Sequence, residues 1–150
     1  MNEIPLFLDI DGVLHPVGTH PTGWLSCKDT FEQWVRKYPG VQLVISSSWR
    51  RLYPLKVIQS HFSEDVGVRI IGVTPRITDA RPQRRHREIL AWLAKNRPPN
   101  AGWLALDDSE NEYPAQCPQL VPCVSTIGFD DDVAAELDRR LAQILDRADA

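Results

Sequence analysis

Asp9-Ile10-Asp11 closes the apolar run Ile4-Pro5-Leu6-Phe7-Leu8 with two carboxylates one residue apart, and Gly12 follows at once. In extended backbone, residues i and i+2 point to the same side, so the two acids are expected to face together. Gly12 permits a sharp turn just behind them. Two acids at the end of a buried strand are costly unless a cation or a reaction uses them. Two other apolar runs also end in polar groups: one in Ser46-Ser47-Ser48-Trp49-Arg50, the other in Asp107-Asp108-Ser109-Glu110. If these ends meet, the carboxylates repel and raise one another's pKa unless a counter-ion is present. A hard divalent cation held by oxygen resolves this, and Mg²⁺ uses few carboxylates and keeps waters that a phosphate can replace. The hydroxyls and amides of Ser46 and Ser47 can hold phosphate oxygens. So can a basic side chain such as Arg50 or one of the five arginines 76, 81, 84, 85 and 87, opposed only by Asp79.

Each feature also has a plainer explanation. A D-x-D after a strand can open a calcium loop, but that pattern needs an acid or Asn at the third site and Glu at the twelfth, where this chain has Val13 and His20. The serine run can be an ordinary helix cap, Asp107-Asp108 can cap a loop, and an arginine cluster can be a solvated surface. His15, His20, His61 and His86 lack metal-ligand spacing, although His15 lies near the acids. These signals gain weight only through an element order that brings the strand ends together.

That order is legible. Five short apolar runs, Ile4–Leu8, Val41–Ser46, Val68–Val73, Trp103–Leu106 and Leu120–Val124, read as strands covered on both faces, as in a parallel sheet. Helical periodicity falls between them. Phe31, Trp34, Val35 and Tyr38 share a stripe stopped by Pro39-Gly40, and Pro54 opens a helix with Leu55, Ile58 and Phe62 on one face. Ile89, Leu90, Leu93 and Ala94 form a third helix, halted before Pro98-Pro99. Val133, Leu137, Leu141, Ile144 and Leu145 form a fourth, whose acidic start at residues 130 to 132 suits the helix dipole. Residues 16 to 26 have no helical period and read as a loop. Alternating strands and helices imply β-α-β units, with ligands bound beyond the C-terminal strand ends where strand order reverses.

The bulk properties are those of one ordinary globular domain spanning 1–150. The chain is 43% hydrophobic and 25% charged, and its net charge of −3 provides no global field for nucleic acid, so any such binding needs a local patch. No run has the length of a membrane span and no signal peptide is visible. Cys27, Cys117 and Cys123 have no paired spacing and read as reduced thiols, which points to the cytoplasm.

Taken together, the motifs resemble the haloacid dehalogenase-like hydrolase superfamily. Leu8-Asp9-Ile10-Asp11-Gly12-Val13 is similar to its first motif, Val44-Ile45-Ser46 to its second, and Leu104-Ala105-Leu106-Asp107-Asp108 to the paired-acid form of its fourth. The third motif departs from the pattern: Arg85, with Arg84 and Arg87 next, stands where a Lys is usual. A closer resemblance is to the small domains of this group in bacterial and phage RNA-repair proteins, through Asp9 to Pro16, Trp49-Arg50, Arg85 to Leu93 and Leu106-Asp107-Asp108 in order. The resemblance implies a Rossmann-like three-layer α/β sandwich with a five-stranded parallel sheet and no large cap domain. It implies Asp9 as nucleophile and Asp11 as general acid–base. It places the phosphate on Ser46 and Arg85, beside the Ser47 and Arg50 of the residue reading, and Mg²⁺ on Asp9, Asp11 and Asp108, with Asp107 in support and with only Asp9 of the first pair expected to meet the ion through its side chain. The substrate expected is a phosphomonoester, including a nucleic-acid end. A broad small-molecule phosphatase, a phosphoacceptor domain and a non-catalytic binding domain stand as alternatives.

Overall fold

A computed structural model describes residues 3–148. Five strands, β1 (Ile4–Leu8), β2 (Val41–Ile45), β3 (Ile70–Val73), β4 (Leu104–Asp107) and β5 (Leu120–Pro122), form one all-parallel sheet in the order β3-β2-β1-β4-β5. β1 is therefore central, and the order reverses between β1 and β4. At that reversal, crossovers leave to opposite faces and a crevice opens above the strand ends.

β1 carries a proline in a central strand, where a missing N–H normally costs a ladder bond. Ile4 donates its N–H toward the β2 side, to Gly40, so the nitrogen of Pro5 faces β4. Pairing with β4 begins only at Leu6, opposite Leu104, and no ladder bond is lost.

The strands alternate between two apolar layers, as the period of two requires. Leu6 and Leu8, Leu43 and Ile45, and Leu104 and Leu106 face the larger layer. It also holds α1 (Lys28–Arg36), α3 (Leu55–Ser60) and α6 (Asp131–Ala148) through Phe31, Trp34, Ile58, Leu137 and Leu141. Phe7, Val44 and Ala105 face the other layer, beneath α5 (Arg84–Asn96), with Ile89 and Trp92. Phe7 meets the rings of Trp92 and Trp103 edge-on, at centroid separations of 5.5 and 5.8 Å. Asp130 Oδ1 accepts the Val133 N–H and caps α6.

The sheet confirms a Rossmann-like α/β architecture, and among the described residues no crossover carries an inserted cap domain. Several details depart from the sequence expectations, among them the run expected to reach Val124, which ends at Pro122, and the expected stripe members Leu90 and Ala94, which are exposed. β3 is an edge strand with Ile71 and Val73 exposed, so it is not covered on both faces. The run expected to begin at Val68 begins at Ile70, because α4 (Glu64–Gly67) uses the preceding residues. α2 (Trp49–Leu52) and α4 are single turns, too short to show a period in sequence. No helix among the described residues is long and apolar enough to cross a membrane.

Candidate active site at the strand reversal

Asp9 follows Phe7 by two residues and Asp107 follows Ala105 by two, so both inherit the face covered by α5. Arg85 sits in the first turn of α5 and enters the same space. Its Nη1 lies 2.7 Å from Asp107 Oδ2 and 3.3 Å from Asp9 Oδ1. Asp108 completes the group: Asp9, Asp107 and Asp108 each offer an oxygen, and these oxygens lie within 4.8 Å of one another. One guanidinium against three carboxylates leaves an excess of two negative charges, the charge of a divalent cation.

The electrostatics agree. Burial, and after it the charge of Asp107, pushes the Asp9 carboxyl well above the usual carboxylate range, and Arg85 offsets only part of this. Asp108 is also pushed up, chiefly by burial. Burial works against the charge of Arg85, but Asp107 and Asp9 outweigh it and hold the guanidinium more firmly protonated than usual. Asp107 is fully buried and has both oxygens engaged. Oδ2 accepts from Arg85 and from the Tyr113 hydroxyl at 2.9 Å, and Oδ1 accepts from the Ser109 N–H. It is therefore the anchored acid of the three, and Asp9 and the partly exposed Asp108 have more oxygen free for a cation.

Gly12 makes this arrangement possible. Its φ is +79°, and a Cβ there would stand 2.2 Å from Asp108 Oδ2. Gly12→Ala is expected to cost more than ~1 kcal/mol in stability and to weaken divalent-cation binding by about 10–100-fold, read by calorimetric titration. Unchanged affinity would remove Asp108 from the cation set.

Two sequence expectations need correction here. Asp9 and Asp11 do not face together. Regular strand ends at Leu8, the chain turns, and Asp11 is 49% exposed while Asp9 is buried. The Asp11 carboxylate lies outside the three-acid group, so its side chain is not brought to the cation position; it accepts instead from His15 Nε2 at 2.8 Å. Arg50 does not reach outward either. Its guanidinium donates to the carbonyls of Ser46, Ser47 and Thr74 and pairs with Glu88 at 2.8 Å. With these donors committed, Arg50 braces the loop after β2 and offers no free fork to a phosphate.

The serines divide their tasks. Ser47 Oγ accepts the Trp49 N–H and closes the turn into α2. Ser46 Oγ is buried and has no hydrogen-bond partner among the described residues, as is also true of Thr74 Oγ1 at the end of β3. A buried hydroxyl without a partner is uncommon and fits a group that meets a ligand. Of the arginine segment, Arg81 and Arg87 close on Asp79, Arg85 enters the site, and Arg76 and Arg84 stay exposed. Trp49, next to Arg50 in the run after β2, is buried in the core; Trp24, on the loop before α1, is the exposed indole nearby.

The sequence reading missed Glu88, Tyr113, Thr74 and the role of His15. Glu88 did leave a signal: with Arg85, Ile89 and Trp92 it follows i, i+3, i+4, i+7, so a charge sits in a buried helix stripe. The others become visible only when separate loops are brought together.

A family model described as "HAD domain in Swiss Army Knife RNA repair proteins" matches residues 5–134, which include every site residue named above. No curated protein and no solved structure matches the chain at a significant level.

Proposed function

The chain belongs to the family of HAD domains in Swiss Army Knife RNA repair proteins, and from that premise we infer that it is a Mg²⁺-dependent phosphomonoesterase acting on polynucleotide ends. The observation that carries the reading is the group of three acids at the strand reversal, paired among the described residues only with Arg85. Asp9 and Asp108, steadied by Asp107, would hold the cation, and the donor set suits Mg²⁺ because it is all oxygen. When bound, the ion supplies positive charge against the phosphoryl oxygens.

The chemistry follows from the side chains. A carboxylate oxygen of Asp9 forms a bond to phosphorus as the bond from phosphorus to the ester oxygen breaks, and the electron pair of that bond stays with the leaving oxygen. Asp11 gives that oxygen a proton. In the second half, a water oxygen attacks phosphorus, Asp11 takes the proton of the water, and the bond to Asp9 breaks to regenerate its carboxylate. The Ser46 hydroxyl and the Arg85 guanidinium are the groups placed to hold nonbridging oxygens.

Three features support a polynucleotide over a small ester. The site has no cap among the described residues. Arg51, Arg76 and Arg84 are exposed and have no ion pair among the described residues, so they can follow a phosphate backbone. Domains of this family occur in RNA repair proteins. The free thiols of Cys27, Cys117 and Cys123 fit a cytoplasmic setting.

The test compares 3′- and 5′-phosphorylated oligonucleotides with small phosphate esters, with Mg²⁺ and with a chelator. Turnover should need the ion and favour one oligonucleotide end. With two or three backbone phosphates neutralised, KM should rise roughly 7- to 20-fold from about 50 to 200 mM salt. Faster turnover of small esters without a salt effect would make the chain a small-molecule phosphatase. No turnover with any ester would leave a binding domain.

A further inference from the structure

Asp11 is half exposed on a turn, and its sole side-chain hydrogen-bond partner among the described residues is His15. An acid that must deliver a proton in one direction is poorly served by a freely rotating carboxyl. The surroundings of His15 supply what Asp11 lacks. The imidazole is only 2% exposed. Its Nδ1 accepts the Leu25 N–H at 3.2 Å, so in the neutral ring the hydrogen resides on Nε2, which donates to Asp11 Oδ1 at 2.8 Å.

Three further features hold the ring in that orientation. Trp24 stacks on it with the planes 11° apart and the centroids separated by 5.8 Å, and Trp49 lies 6.2 Å away. Leu25, whose N–H selects the tautomer, has φ +66°, a left-handed conformation that costs a branched residue roughly 1–2 kcal/mol and persists only where the surroundings impose it. The Gly12 N–H donates to the His15 carbonyl at 2.9 Å and closes the turn between the acid and its partner. A histidine buried for packing alone needs one acceptor of any kind; this one is aimed at the carboxyl assigned to proton transfer.

We propose that His15 is the positioning residue for the general acid. With Oδ1 accepting from Nε2–H, the proton of the Asp11 carboxyl is confined to Oδ2, and the turn fixes where Oδ2 points. His15 itself gains and loses no proton in the cycle. The inference rests on the phosphomonoesterase reading above, and it concerns only the step in which the leaving oxygen is protonated.

Leaving-group dependence tests it. A ribose or other alkyl phosphate leaves as a basic alkoxide that needs the proton of Asp11, whereas p-nitrophenyl phosphate leaves as a stable phenolate that hardly needs it. His15→Phe retains an aromatic ring for Trp24 but has no N–H. It should lower kcat on the alkyl ester by about 10²-fold and on p-nitrophenyl phosphate by less than about threefold, with KM little changed. His15→Gln, which restores a donor, should recover part of the loss. If the Phe variant does not fold, His15→Ala supplies the same comparison. Equal losses on both esters, or none, overturn the positioning role while leaving the hydrolase intact. With the preferred phosphorylated oligonucleotide as the alkyl ester, wild-type protein inert towards it and towards p-nitrophenyl phosphate overturns the hydrolase reading itself, and this role with it.

Discussion

Asp9→Asn is expected to abolish turnover, lowering kcat by at least ~10⁴-fold, because the amide oxygen cannot serve as the nucleophile. The fold should not suffer. Burial and Asp107 disfavour the ionised Asp9 carboxyl, so a neutral side chain of the same shape removes a repulsion. Metal-free variant protein should therefore melt at or above the wild type at neutral pH. The sign follows from linkage. The folded-state pKa of Asp9 is raised above its unfolded value, about 3.9 for an unperturbed Asp. The associated stability is present below that value and is lost as pH rises through the folded one. The wild type should thus fall behind the variant in melting temperature as pH rises from about 4 toward neutrality. Added Mg²⁺ should reverse the order by stabilising the wild type far more than the variant. Near-wild-type activity in Asp9→Asn would end the mechanism, and equal Mg²⁺ stabilisation of both proteins would remove Asp9 from the cation site.

Glu88→Ala is expected to produce the largest loss of stability. Arg50 and Glu88 pair at 2.8 Å with side chains 6% and 3% exposed. Burial already works against the Arg50 charge, and Glu88 is the group that offsets it. Removing one partner of a buried pair strands the other, at about 3–5 kcal/mol. For a domain of this size that corresponds to roughly 6–20 °C in melting temperature. Glu88 Oε2 also accepts the Ile77 N–H, and Arg50 holds the carbonyls of Ser46, Ser47 and Thr74. The same change should therefore loosen the loop that carries the Ser46 hydroxyl. The half-exposed Arg36–Asp65 pair is the control, because solvent screening leaves little stability to lose there. A loss that small for Glu88→Ala would mean that Arg50 can turn outward, which would restore it as a phosphate ligand.

The fold was largely legible because strands and helices signal through local periodicity. Ile4–Leu8 appeared with its observed bounds, and the parallel sheet follows from five apolar runs separated by helices, whereas the strand order β3-β2-β1-β4-β5 came only from the tertiary structure. The errors arose where periodicity says nothing. A four-residue helix completes barely one turn, and an edge strand and a central strand can have the same composition.

The sequence by itself determined which residues could do the chemistry: Asp9, Asp11, Ser46, Arg85, Asp107 and Asp108 all stand at strand ends or helix starts, where a parallel sheet must bring them near one crevice. Only the tertiary structure decided how they divide the work. The turn after Leu8 separated Asp11 from Asp9 and gave it to His15. The buried Glu88 drew Arg50 inward, leaving Arg85 to bridge Asp9 and Asp107. Residue type fixes the charges and hydrogen-bonding groups a side chain can offer. Which partner it meets depends on backbone turns and on contacts between segments far apart in the chain, and those exist only once the sheet has closed around them.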